Sequence, residues 1–133
     1  MLISPHLIYA GDCPHAVDLY VSAFNADVLS MVTYGEQHLT VPPGMDRRIA
    51  RAVLAIDDSR LELSDTLDHD AVRHSRQSAL VLEGHAWQIE QAQRVLLEEG
   101  QRLPATPPPM VAPAFTVRDR FGVTWRLVEQ ETE

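Results

Sequence analysis

An order of segments that occurs twice constrains this chain more than any single motif: apolar run, glycine turn, amphipathic helix, irregular or edge stretch, hairpin of alternating residues. One pass ends near residue 65 and the other begins near residue 77. Leu7-Ile8-Tyr9-Ala10-Gly11 resembles Leu80-Val81-Leu82-Glu83-Gly84, and each run precedes a helix. The spacing exceeds that of a solenoid repeat. The expectation is an α+β protein forming a single domain of two βαβββ modules, about 1–65 and 77–133, whose curved mixed sheets enclose a cavity suited to a small ligand.

Local signals place the elements. Leu2 to Ala10 reads as a strand closed by Gly11-Asp12. A helix follows, with Asp12 as N-cap, Pro14 in the first turn and a stripe of Ala16, Leu19, Tyr20, Ala23 and Phe24. Asn25 suits a left-handed helix end, and Ala26 to Tyr34 alternates as a strand. Glu36 to Arg48, with Pro42-Pro43-Gly44, is a loop long enough to cover a pocket. Ala50–Ile56 and Ser59–Ser64 flank the turn Asp57-Asp58.

Asp65 to Arg76 has the composition of a linker, and Ser78–Leu82 is a strand punctuated by Gly84. Trp87, Ile89, Ala92, Val95, Leu96 and Leu97 give Ala86–Glu99 an apolar helix face, with Gly100 at the C-cap. Pro104 to Pro113 holds five of the nine prolines, which bars it from a central strand. In the last hairpin, Ala114 to Val128, the residues Val123, Trp125 and Leu127 alternate with Thr124, Arg126 and Val128 after the turn Asp119–Gly122.

Composition narrows the partners. With 133 residues, 45% hydrophobic, the chain can bury a substantial core. Its 19 acidic against 11 basic side chains, net charge -8, repel phosphate backbones and anionic lipid, so neither nucleic acid nor a membrane is expected as partner. A lone Cys13 excludes an internal disulfide, and no apolar run approaches the roughly 20 residues of a membrane span. The N-terminus M-L-I-S-P-H lacks a basic start and a long apolar run, which makes the cytoplasm the expected location.

The strings S-P-H-L-I-Y-A-G-D at 4–12, T-Y-G-E at 33–36, D-S-R-L-E-L-S-D at 58–65 and D-R-F-G-V-T-W at 119–125 resemble, in that order, the vicinal oxygen chelate superfamily of glyoxalases, bleomycin resistance proteins and extradiol dioxygenases. The PhnB-like branch is the nearest in pattern, and D-x-F-G-V-x-W is the most specific of the strings. Members of this branch are often labelled ubiquinone-pathway methyltransferases. The chain has no glycine-rich strand-to-helix turn to cradle a nucleotide-like methyl donor, so that activity is not expected.

The resemblance implies one divalent metal held by a residue from each of four strands, with open positions for a substrate's vicinal oxygens. Carried over, the first module's glutamate falls on Glu62, while its counterpart falls on Arg126, a cation. The first-strand histidines fall near Pro5 and Gln77. His6 is one residue from that position, and a one-residue offset should turn it to the other face. It is still the histidine best placed as a pH-sensitive pocket group, although a strand histidine held by a backbone carbonyl is the commoner arrangement.

The ligand set implied by the family is therefore incomplete, and no cofactor is expected, although a divalent metal stays open. Glu62, Arg126, Gln77 and His6 are the candidate ligand-binding residues. Glu62 and Arg126 are expected either as an ion pair across the cavity or as a pair in which Arg126 receives an anionic group. Cys13, at a helix start, is either an activated thiol or a buried inert one. The expected function is small-molecule binding by a homodimer without a conventional metal site. The alternative is a metal-dependent lyase, isomerase or dioxygenase acting on a small oxygen-rich substrate.

Overall fold

A computed structural model describes residues 1–68, 79–104 and 114–130. His69, His74, Gln77 and most of the Pro104–Pro113 stretch lie outside the described residues. The chain divides into two compact units, Met1–Val72 and Arg73–Glu133.

The first unit runs β1 (His6–Tyr9), α1 (Cys13–Phe24), β2 (Asp27–Thr33), a short 3-10 turn at Gly35–Gln37, β3 (Ile49–Ile56) and β4 (Ser59–Asp65). Its sheet has the order β1-β4-β3-β2, with β1 parallel to β4 and the other pairs antiparallel. The second unit runs β5 (Leu80–Gly84), α2 (Ala86–Leu96), β6 (Gln101–Leu103), β7 (Ala114–Arg118) and β8 (Thr124–Glu129), in the order β5-β8-β7-β6. The protein is thus α+β, two four-stranded mixed sheets each made by a βαβββ segment.

Both sheets close in the same way. The Thr66 amide donates to the Tyr9 carbonyl at 2.6 Å, and the Gln130 amide donates to the Gly84 carbonyl at 2.7 Å. Tyr9 therefore corresponds to Gly84, and the comparison of Leu7–Gly11 with Leu80–Gly84 is two positions out of register. Gly11 lies in a turn at φ 107, whereas Gly84 ends a strand.

Each sheet has one face covered by its helix. In the first, Ala52 and Leu54 of β3 face Leu63 and Leu61 of β4, all at most 3% exposed. Asp65 shares that face and marks it as the helix side, because its carboxylate reaches the N-terminus of α1. From α1 come Ala16, Val17, Leu19, Tyr20 and Ala23, buried, with Phe24 only half-buried. In the second, Trp125, Leu127 and Val117 are buried on the face to which Gly84 belongs. A side chain at Gly84 would meet Gln88 of α2 at 2.8 Å, so this is again the helix side. Burying each large apolar side chain contributes about 1.5–3 kcal/mol.

Several local expectations are corrected. The first strand begins only at His6, and Leu2 and Ile3 are exposed. Asp12 occupies the N-cap position of α1 but its side chain caps nothing. Asp65 does the capping instead, its Oδ1 accepting from the amides of Gly11 at 2.8 Å and Cys13 at 3.0 Å. The helix α2 stops at Leu96, and of its expected apolar face Trp87 is 57% exposed and Leu97 36%. Gly100 is not a left-handed cap, since Glu99 takes the positive φ of 59. Glycine is required there because a Cβ would lie 2.2 Å from the Leu96 carbonyl oxygen and 2.8 Å from that of Arg118. Asn25, by contrast, ends α1 at φ 53, ψ 41 as expected.

Candidate functional site

The candidate residues stand on the sheet faces that the helices leave free. In the first sheet β4 lies between β1 and β3, and His6 is level with Glu62 in the parallel pair. Level residues of neighbouring strands share a face. His6 therefore stands beside Glu62, which corrects the expectation that its offset would turn it away. Its Nε2 pairs with the Ser64 hydroxyl at 2.7 Å, a side-chain partner rather than a backbone carbonyl. Ser64 is two residues beyond Glu62 and on the same face.

From the other side, Arg51 of β3 donates its Nε to Oε1 of Glu62. This ion pair is half open to solvent, with side-chain exposures of 60% for Arg51 and 29% for Glu62. The Arg51 hydrogen bond holds the Glu62 carboxyl below its ordinary range, and the charges of Arg51 and His6 act the same way against the opposing effect of desolvation. Neither Arg51 nor Ser64 stands out in the sequence. Arg51 alternates with buried Ala52 on β3, and that alternation is the one signal that points to it.

Register settles the second sheet's counterpart. Glu62 precedes Asp65, the partner of Tyr9, by the same interval as Arg126 precedes Glu129, the partner of Gly84. Arg126 thus holds the place in its sheet that Glu62 holds in the first. Level with it on β5 stands Val81, 64% exposed, whereas the resemblance places the family's first-strand histidine position near Gln77. Gln77 itself lies outside the described residues. On β7, Thr116 is level with Arg126, and Arg118 with Thr124.

These positions do not fit the four-ligand metal set that the family resemblance implies. They offer His6 and Glu62 in one sheet, with Glu62 engaged by a guanidinium, and Val81 and Arg126 in the other. An aliphatic side chain donates nothing to a metal and a guanidinium repels one. Among the described residues, no three His, Cys, Asp or Glu side chains gather as metal ligands.

Other conspicuous residues turn out to be structural. Asp119 is 3% exposed; its Oδ1 accepts from the amides of Phe121 at 2.9 Å and Val123 at 3.1 Å, and its Oδ2 from Trp125 Nε1 at 2.9 Å. Gly122 takes φ 88 within this turn. The D-x-F-G-V-x-W string is therefore a self-satisfied turn. Cys13 is buried, and desolvation followed by the charge of Asp65 pushes its thiol up to about 12, which removes it as a nucleophile at neutral pH. Among the described residues no helix is long and apolar enough to cross a membrane.

No protein-family model matches the chain. Protein YjdN of Escherichia coli K12 is 30% identical over 141 aligned positions, covering 96% of this chain and 94% of that protein. Among solved structures, protein PA1353 of Pseudomonas aeruginosa superposes with a TM-score of 0.82 at 22% identity, covering 99% of each chain. A PhnB protein of Bacillus cereus, described as a putative 3-demethylubiquinone-9 3-methyltransferase, gives 0.78 at 18% identity, covering 98% of this chain and 100% of that one. A FosX fosfomycin resistance protein of Listeria monocytogenes, in complex with Mn(II) and 1S,2S-dihydroxypropylphosphonic acid, gives 0.66 at 11%, covering 96% and 90%.

The fold is that of the glyoxalase/bleomycin resistance proteins. Within that fold, the chain belongs to the PhnB-like branch of the vicinal oxygen chelate superfamily.

Proposed function

We propose that the protein binds a small molecule through the polar groups on its helix-free sheet faces, without the divalent ion of metal-dependent superfamily members. The observation that carries this reading is Arg126 at the register position of Glu62, a fixed cation where a second anionic ligand would have to stand. Arg126 is then a receiver for an anionic or strongly polar group. The pair Arg51–Glu62, with His6 and Ser64 alongside, is a separate set of donors and acceptors on the helix-free face of the first sheet. The same reading has the protein act in the cytoplasm as a homodimer.

One observation favours the enzyme alternative, a metal-dependent lyase, isomerase or dioxygenase: His6 and Glu62, one imidazole and one carboxylate, stand side by side. The FosX neighbour holds Mn(II). Elemental analysis and native mass spectrometry of protein purified without chelators separate the two. The binding reading expects no stoichiometric metal and no gain in ligand retention when Mn(II) or Zn(II) is added. One manganese, zinc, iron or nickel per chain would overturn it and favour the enzyme.

A further inference from the structure

Four polar side chains share the helix-free face of the second sheet in two cross-strand pairs, Thr116 with Arg126 and Arg118 with Thr124. Level residues of antiparallel strands have Cβ atoms about 4.5–5.5 Å apart, and diagonal ones about 7–8 Å apart. The two arginines form one diagonal of this square and the two threonines the other. Gln101 of β6 extends it, being level with Arg118. No carboxylate belongs to the square. Glu83, the acid on the same face, is level with Val128, one step beyond Arg126.

Two features of the square call for a ligand. Among the described residues neither Arg118 nor Arg126 has an ion pair, so two like charges share one diagonal with no salt bridge to either. The Thr124 hydroxyl is buried with no hydrogen-bond partner, in a residue 7% exposed. A buried hydroxyl left unpaired is costly, and two neighbouring guanidiniums add repulsion. A single anion over the square relieves both.

The geometry points to a binding site for a doubly charged tetrahedral oxyanion, a phosphate or phosphonate group, formed by Arg118, Arg126, Thr116 and Thr124. Two guanidinium forks and two hydroxyls offer more donors than the two oxygens of a carboxylate can use, whereas a phosphate or phosphonate presents three terminal oxygens. The local cations oppose the chain's net charge of -8, so binding weakens as salt screens them. This inference rests on the reading of Arg126 as a ligand receiver and names the chemical class it receives.

Isothermal titration calorimetry on the full chain, with chelator present and ionic strength held constant, tests it with inorganic phosphate, methylphosphonate and acetate. Phosphate and methylphosphonate should bind saturably at one per chain, with acetate about tenfold weaker or more. Arg118→Gln and Arg126→Gln should each weaken methylphosphonate about tenfold, the loss of one charge-assisted contact. Thr124→Val should weaken it a few-fold, about what one neutral hydrogen bond contributes, and Thr124→Ser should retain binding. Arg94→Gln, on α2, should change nothing.

Amide shifts of the unmutated protein on adding methylphosphonate provide a second readout that needs no variant to fold. Shifts centred on β7 and β8 support the site; shifts elsewhere, absence of saturable binding, or affinity indifferent to both arginines overturn it. If neither probe binds while native mass spectrometry retains another small molecule, the oxyanion site fails and small-molecule binding survives. Because chelator is present in the titration, a stoichiometric metal found in separately purified protein would overturn metal-free function while leaving oxyanion binding by the square in place.

Discussion

Glu62 has a cationic or basic side chain on either hand, Arg51 on β3 and His6 on β1, and both act on its carboxyl in the same direction. Its folded-state value is lowered, while the unfolded chain returns it to the ordinary carboxylate range. The stabilising contribution of the pair is therefore present above that range and is lost as pH falls through the lowered folded value. Arg51→Gln should move the Glu62 titration, followed by carboxyl carbon NMR, upward toward the ordinary range; an unmoved titration would refute the pairing. Little of this is legible in the sequence. A motif leads to Glu62 and Arg126, but the phase of β1 cannot be read from an apolar run that begins before the strand does. Without that phase, the sequence assigns His6 to the wrong face.

At the level of elements, legibility tracks how far apart in sequence the partners lie. The turn at Asp119 is made by residues up to Trp125, so its string is recognisable as a unit. The cap of α1 is not, because Asp65 reaches Gly11 and Cys13 through Oδ1 and the Ile49 amide through Oδ2 at 2.9 Å, three segments tied by one buried carboxylate. Gly100 misleads for the same reason. Its local setting is a helix end, but the demand for glycine includes the Arg118 carbonyl of β7. Gly100→Ala should destabilise the protein by about 2–4 kcal/mol, because the clash is with backbone and cannot be relieved by a side-chain rotation. Urea denaturation reads the loss. A change under about 0.5 kcal/mol, the scale of an uninvolved surface substitution, would contradict the close approach.

Across the whole molecule, two sheets with one topology carry different residues at matched positions, and an acid with an imidazole in one answers a cation with an aliphatic side chain in the other. The repeat is legible as an order of elements, whereas its alignment residue by residue emerges only from the two closing hydrogen bonds. Edge strand β2 exposes Val28 at 47%, Leu29 at 51% and Met31 at 38%. Apolar edges of this kind invite pairing with another chain. Sedimentation at micromolar concentration should give a mass twice the 14.9 kDa of one chain, and a monomeric mass would count against the homodimer.

The closing bonds have a temporal meaning as well. In each unit the first strand pairs with the last, so β1 and β5 wait for β4 and β8 before they gain a ladder. Hairpins β3–β4 and β7–β8 have short connections and can form early, while the parallel pairings require the intervening chain to be gathered in first. On a ribosome, the strand that emerges first in each repeat thus has no ladder partner until the last strand of that repeat has been made. An incomplete chain leaves His6 waiting for the very strand that brings Glu62 to its side.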